Sequence, residues 1–159
     1  MQEILQLIQG DGDISRDEIA RNLGLTRADV DAQIAALVAD GVIIGRPWLL
    51  NEEKIEGSGV TATIEVKITP ERDGGFDRIA KRIAKFSQVE TCALYSGGYD
   101  LIVQVRGKDL VAVARFVSEK LATIEGVIST QSHFQLKTYK ENGIIFERDE
   151  EQERLPVTP

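Results

Sequence analysis

The run Tyr95-Ser-Gly-Gly-Tyr-Asp-Leu101 has the side chains and the backbone freedom to hold a small zwitterion. Two adjacent glycines at a hairpin tip free backbone N–H groups that can bind a carboxylate, and Asp100 beside them can meet an ammonium group. An amino acid carries both. The competing reading is a turn and nothing more, because short motifs recur often by chance. On the residues alone, both readings stand.

Little else in the chain offers reactive chemistry. Its one histidine, His133, falls on an expected strand, where packing or a hydrogen bond is the commoner role. The single cysteine, Cys92, cannot close an internal disulfide and suits a reducing cytoplasm. No HExxH, CxxC, phosphate loop or Ser-His-Asp pattern is present, so no cofactor or metal is expected.

The elements that position the glycine run are legible from periodicity. Leu101, Val103 and Val105 alternate with Ile102, Gln104 and Arg106, the period of a strand. Val89 to Tyr95 reads as a second strand, so the two form a hairpin around Gly97-Gly98, with the positive φ of a tight turn expected there. Val60 to Ile68 is another alternating strand, ended by Pro70. A helix is expected from Gly75 to Phe86, with Phe76, Ile79, Ala80 and Ile83 inward and a basic stripe of Arg78, Lys81, Arg82 and Lys85 outward. A second is expected over Lys108 to Ile124, with Leu110, Val113, Ala114, Val117 and Leu121 inward. Val127 to Tyr139 reads as a long last strand. This strand-helix-strand-strand-helix-strand order is the ferredoxin-like βαββαβ arrangement, with both helices on one face of an antiparallel sheet. The other face, carrying Thr61, Thr63, Ile102, Gln104, Ser129, Gln131, His133 and Gln135, is left for a second copy, so at least a dimer is expected.

The first fifty residues read differently. Ile4, Leu5, Leu7 and Ile8 mark a short helix ended by Gly10-Asp-Gly-Asp13. Ser15 with Glu18, and Thr26 with Asp29, are capping signals that open a second and third helix. Gly24 and Gly41 close them. The third helix is expected to turn Val30, Ile34, Leu37 and Val38 inward. Three short helices with a glycine turn between the last two make a helix-turn-helix unit, and Val42 to Asn51 is expected to form a two-stranded wing. The fold class is therefore α+β: a winged helix-turn-helix domain over residues 1–50, a linker over 51–59, a ferredoxin-like domain over 60–140 and an acidic tail over 141–159, expected to be partly disordered.

Charge is unevenly spread along the 159 residues, whose net charge is -7. Residues 1–50 hold four Arg against eight Asp and Glu, whereas residues 58–140 hold twelve basic against nine acidic side chains. Non-specific DNA affinity comes from cations neutralising phosphates, so the acidic first segment argues against a strong one. No apolar run approaches the roughly 18 residues of a membrane span, and Met1 is not followed by the basic and apolar regions of a signal peptide. A cytoplasmic protein is expected.

A helix-turn-helix unit followed by a βαββαβ domain resembles the leucine-responsive/asparagine-C (Lrp/AsnC) family of transcription regulators. The resemblance rests on Asp11-Gly-Asp-Ile-Ser15, Glu18-Ile-Ala20, Gly24-Leu-Thr26, Gly41-Val-Ile43, Gly45 and Leu50-Asn51. In the second half it rests on Val89-Glu-Thr-Cys92, Ser96-Gly-Gly-Tyr-Asp-Leu101, Lys108-Asp-Leu110 and Glu125-Gly-Val-Ile-Ser-Thr130. It implies double-stranded DNA as a partner, with the third helix in the major groove, and an ACT-like domain that dimerises and regulates amino-acid metabolism (the RAM domain). It also implies homodimers joined into higher oligomers, and an amino-acid effector between dimers. Ser96, Gly97, Gly98, Tyr99 and Asp100 are then the effector-binding candidates, with Thr130, Gln131 and Ser132 beside them. Thr26, Arg27 and Gln33 are the DNA-facing candidates, with Arg16, Arg21 and Arg46 as phosphate contacts.

The chain departs from the family pattern in its third helix, where arginine is usual and Asp29 and Asp31 stand instead. The expectation is weak DNA binding per subunit, made useful by several units in one oligomer. Two other functions fit the architecture. One is an amino-acid sensor with little or no DNA binding, which the acidic third helix favours. The other is a haem-pathway decarboxylase, which would need a cluster of basic or histidine side chains around a tetrapyrrole.

Overall fold

The structure is a computed structural model that describes residues 1–70 and 75–146. The chain divides into two compact units, the first Met1–Leu50 and the second beginning at Asn51.

In the first unit, α1 (Gln2–Gly10), α2 (Arg16–Leu23) and α3 (Arg27–Ala39) pack around Ile4, Ile19, Ala20, Val30 and Leu37. Both expected capping boxes form. Ser15 Oγ accepts from the Glu18 N–H while Glu18 returns to the Ser15 N–H, and Thr26 and Asp29 make the same pair of bonds. Such caps satisfy N–H groups that the first turn of a helix leaves unpaired. Gly24 takes the left-handed conformation (φ 65°) that reverses the chain into α3. Val38 departs from the expected inward face: it is 53% exposed.

The wing is not formed as a paired ribbon, since Val42–Leu50 contains no strand. Pro47 has no N–H to give a ladder, and an isolated two-stranded ribbon is marginal in water. Trp48 lies in this segment and is 76% exposed.

In the second unit, β1 (Val60–Ile68), β2 (Val89–Leu94), β3 (Leu101–Gly107) and β4 (Val127–Phe134) form an antiparallel sheet in the order β2-β3-β1-β4. The crossovers are α4 (Asp77–Ile83) and α5 (Leu110–Phe116). Ala62, Ile64, Val66 and Ile68 of β1 and Leu101, Val103 and Val105 of β3 are buried against Ile79, Ile83, Val113, Phe116, Val117, Leu121 and Ile124. Burying side chains of this size stabilises by roughly 1.5–3 kcal/mol each.

Three expectations for this unit need correction. The first crossover helix is shorter than Gly75–Phe86, although Ile79 and Ile83 are buried as expected. The second is not one α-helix: past Phe116 it widens into a π-helical turn, Val117–Leu121. Leu110 and Ala114 are exposed, and Phe116 points inward instead, its ring edge-on to Phe86 at 5.4 Å. Helix-to-sheet contact begins only at Val113, whose methyl packs so closely on Gly107 that a Cβ there would lie 2.8 Å from it. The last strand ends at Phe134 rather than Tyr139. Gln135 still donates to the Thr61 carbonyl (3.0 Å), but β1 begins at Val60 and offers no partner further on. The start of the tail forms a small hairpin of β5 (Lys140–Glu141) and β6 (Ile144–Ile145), turning on Asn142 and Gly143, both at positive φ. The rest of the tail, 147–159, lies outside the described residues.

The open sheet face carries the residues expected of it. Thr61, Thr63, Ile102, Gln104, Ser129, Gln131 and His133 alternate with the buried positions, and Glu65 joins them, its Oε1 3.3 Å from His133 Nε2.

Candidate functional site

The glycine run leaves β2 at Leu94 and enters β3 at Leu101 as a wider loop than a two-residue turn. Of the two glycines only Gly97 has positive φ, at 153°, so the expected tight turn is not made. Three hydrogen bonds hold the loop instead. Tyr95 N–H donates to the Asp100 carbonyl (2.8 Å), Asp100 N–H donates to the Val66 carbonyl (3.0 Å), and Asp100 Oδ2 accepts from the Ile68 N–H (2.8 Å). The Asp100 carboxylate thus closes the end of β1. The Tyr95 and Tyr99 rings meet at 6.3 Å, and Ser96, Gly97 and Gly98 are exposed between them.

The three candidates on β4 divide between the faces. Thr130 lies opposite Val66 and Ser132 opposite Ile64, on the helix-covered side, whereas Gln131 lies opposite Glu65 on the open side. Thr130 and Leu101 flank Val66 on its two neighbouring strands, about 10 Å apart at the usual strand spacing. One end of the sheet therefore carries the glycine loop and Thr130, but no single face presents all three β4 side chains to it.

In the first unit the DNA-facing candidates are already engaged with acids. Arg16 pairs with Asp31; Arg27 pairs with Asp17 (2.8 Å) and Asp31 (3.8 Å); Arg46 pairs with Asp13 (2.7 Å). Arg21 is exposed and makes no ion pair within 4.0 Å among the described residues, and Gln33 is half-buried. The Thr26 hydroxyl is spent on its cap. Of the two acids expected to repel phosphate, Asp29 belongs to that cap, which holds its carboxyl below the usual range through the Thr26 hydrogen bonds. Glu18 is lowered in the same way by Ser15. Asp31 bridges two arginines. These pairs are exposed, and exposed pairs are worth roughly 0–1 kcal/mol, so a phosphate can replace the aspartate at little cost.

Two side-chain clusters escaped sequence reasoning. Arg106 at the end of β3 binds Glu90 of β2, Glu52 and the Ser58 carbonyl (3.3 Å). These carboxylates hold its guanidinium well above the usual arginine range, and they fasten the segment expected to be a linker onto the sheet. The second cluster is the His133–Glu65 contact. No local spacing signals either, because the partners lie far apart in sequence. Burial pushes the Cys92 thiol up, as for a packed residue. Among the described residues there is no group of three or more potential metal ligands, and no helix is long and apolar enough to cross a membrane.

A helix-turn-helix unit joined to a βαββαβ domain that offers a glycine loop defines a DNA-binding protein with a module for a small ligand. Family models agree over both parts. A winged helix-turn-helix DNA-binding model matches residues 2–44, and the Lrp/AsnC ligand binding domain matches residues 61–145. The chain is 42% identical over 158 residues to an uncharacterized HTH-type transcriptional regulator of Bacillus subtilis, YugG, covering 99% of this chain and 95% of that one. It is 28% identical to the proline dehydrogenase transcriptional activator of Rhizobium radiobacter, over 89% of this chain and 90% of that one. A transcriptional regulator of Neisseria meningitidis, solved as an L-Met complex, superposes with a TM-score of 0.67 at 27% identity, covering 87% of this chain and 89% of that one. The chain belongs to the Lrp/AsnC family of transcriptional regulators. It is a DNA-binding regulator that responds to a small effector through its second domain.

Proposed function

We propose that the effector is an amino acid and that it binds at the Tyr95–Asp100 loop, between copies of the chain in a cytoplasmic homo-oligomer that regulates transcription and catalyses no reaction. The observation that carries this reading is the way Asp100 is fixed. Its backbone and carboxylate are both tied to β1, so the exposed glycine N–H groups and the acid keep a set spacing. Ser96, Gly97 and Gly98 are exposed in one chain, whereas small-ligand sites bury most of the ligand. A neighbouring copy supplies the missing wall. The Neisseria relative's L-Met complex and the Rhizobium relative's proline-linked name support an amino acid. Thr130, on the same end of the sheet, is the nearer of the β4 candidates; Gln131 and Ser132 are secondary.

In this reading α3 enters the major groove, with Arg27 exchanging Asp17 for a base edge or phosphate, and Arg16, Arg21 and Arg46 track the backbone. Gln33 adds a hydrogen bond, and Thr26, its hydroxyl held in the cap, positions the first turn of α3. The specific observation favouring a sensor with little DNA affinity is the pairing of three of these arginines with aspartates. Fluorescence anisotropy on the protein's own upstream DNA, at two salt concentrations, with and without a mixture of amino acids, decides between them. Salt-sensitive binding that the mixture shifts supports the regulator. No binding at low salt, in either condition, leaves the sensor.

A further inference from the structure

Among the described residues, most of the positive charge that has no carboxylate beside it lies in the second unit, whereas the first offers only Arg21. Three of the four arginines of the first unit are held by aspartates. In the second unit, Arg82 and Lys85 of the α4 stripe and Lys120 of the π-helical turn are exposed, and none has a carboxylate within 4.0 Å among the described residues. Phe86 links Lys120 to the segment that carries Lys85. It follows Lys85 directly, packs edge-on to Phe116, and lies under the Lys120 ammonium at 5.9 Å from ring centre to Nζ. Lys81 and Arg82 lie on α4, and Lys85 lies in the turn that follows it, its N–H donating to the Arg82 carbonyl (3.3 Å). Lys81 finds Asp77 at 3.2 Å; Arg82 and Lys85 find nothing comparable.

We infer that the helix-covered side of the effector domain is a second DNA contact, in which Arg82, Lys85 and Lys120 meet backbone phosphates. The inference rests on the chain binding DNA as proposed above. A duplex is the occupant that charge complementarity selects, because a polyanion pairs cations that meet no carboxylate among the described residues and provides the phosphate contacts that the aspartate-paired first unit is poor in. The surface carries no base-reading role: flexible cations on phosphates add affinity and salt dependence without sequence preference.

The test compares the full-length chain with its Arg82→Gln/Lys85→Gln/Lys120→Gln variant on the same operator fragment across a salt series. Arg27→Gln serves as the base-reading comparator, and Lys54→Gln/Lys108→Gln/Lys140→Gln as a variant with the same change of net charge elsewhere. The expected result is an affinity at least tenfold lower at low salt and a log–log salt slope shallower by roughly 2–3. The ratio of operator to unrelated DNA and the melting temperature are unchanged. A slope equal to wild type overturns the inference, as does an equal loss in the Lys54/Lys108/Lys140 variant, which makes the effect one of net charge. A change of molar mass by light scattering also overturns it, because the stripe is then a contact between copies. A wild-type chain that binds no DNA at all fails the function proposed above, and this inference with it.

Discussion

The two units spend their acidic side chains in opposite ways. In the first, Asp13, Asp17 and Asp31 neutralise arginines on an exposed surface, and Glu18 and Asp29 close helix ends. In the second, Asp100 closes a strand end beside the exposed glycine loop, and Glu52 and Glu90 clasp Arg106. The apolar cores differ as well. Among the described residues, five buried side chains hold the first unit, against fourteen in the second. A small core leaves little reserve, so the first unit depends more on its helix caps.

The largest test of that contrast removes one core side chain from each unit. Ile19→Ala and Ile64→Ala each cost about 3 kcal/mol, but the consequence differs. Ile19→Ala is expected to unfold the first unit at a temperature where the second still melts cooperatively. Ile64→Ala is expected to lower the main transition without abolishing it. Calorimetry of the intact chain separates the two, and a single transition shifted equally by both variants would remove the contrast.

A smaller effect is expected at Asp100. Replacing it with Ala strands the Ile68 N–H and costs about 2 kcal/mol; Asn keeps the acceptor and removes the charge. Asp100→Asn should therefore melt close to wild type while binding amino acid at least tenfold more weakly. Titration calorimetry reads the affinity. Unchanged affinity in the Asn variant would leave the carboxylate a purely structural brace.

The smallest effect is on pH. Glu18 and Asp29 have folded values below their ordinary ones, set by hydrogen bonds to Ser15 and Thr26. A depressed carboxyl contributes stability above its unfolded pKa and loses it as pH falls through the folded value. Acidification from about pH 5 to about pH 3 should thus lower the first unit's transition, by less in a Ser15→Ala/Thr26→Ala variant. An equal acid response in that variant would assign the effect to other groups.

What the sequence made legible was local. Both capping boxes are three-residue patterns, and the alternation along β1 and β3 follows from one side of the sheet being covered. The i,i+4 contact of Arg27 with Asp31 was within reach of helix geometry. Arg16–Asp31 bridges two helices and gives no such signal. The Asp100 bond to Ile68 spans thirty-two positions and exists only because β3 pairs with β1. The apolar run after Gly41 suggested strands, yet a strand needs an edge to pair with and Val42–Leu50 finds none. The candidate loop was found by its glycines; the brace that fixes its acid was not, because that depends on register.

Trp48 is the chain's only tryptophan, and it stands exposed in the stretch between α3 and the clasp made by Arg106. The protein therefore carries a single indole, near the end of its first unit. With excitation near 295 nm, which tyrosine barely absorbs, emission reports on that one place. Anything that buries the indole shifts that emission to the blue, and an event that leaves its surroundings alone leaves the spectrum unchanged, so the chain can be followed without a label.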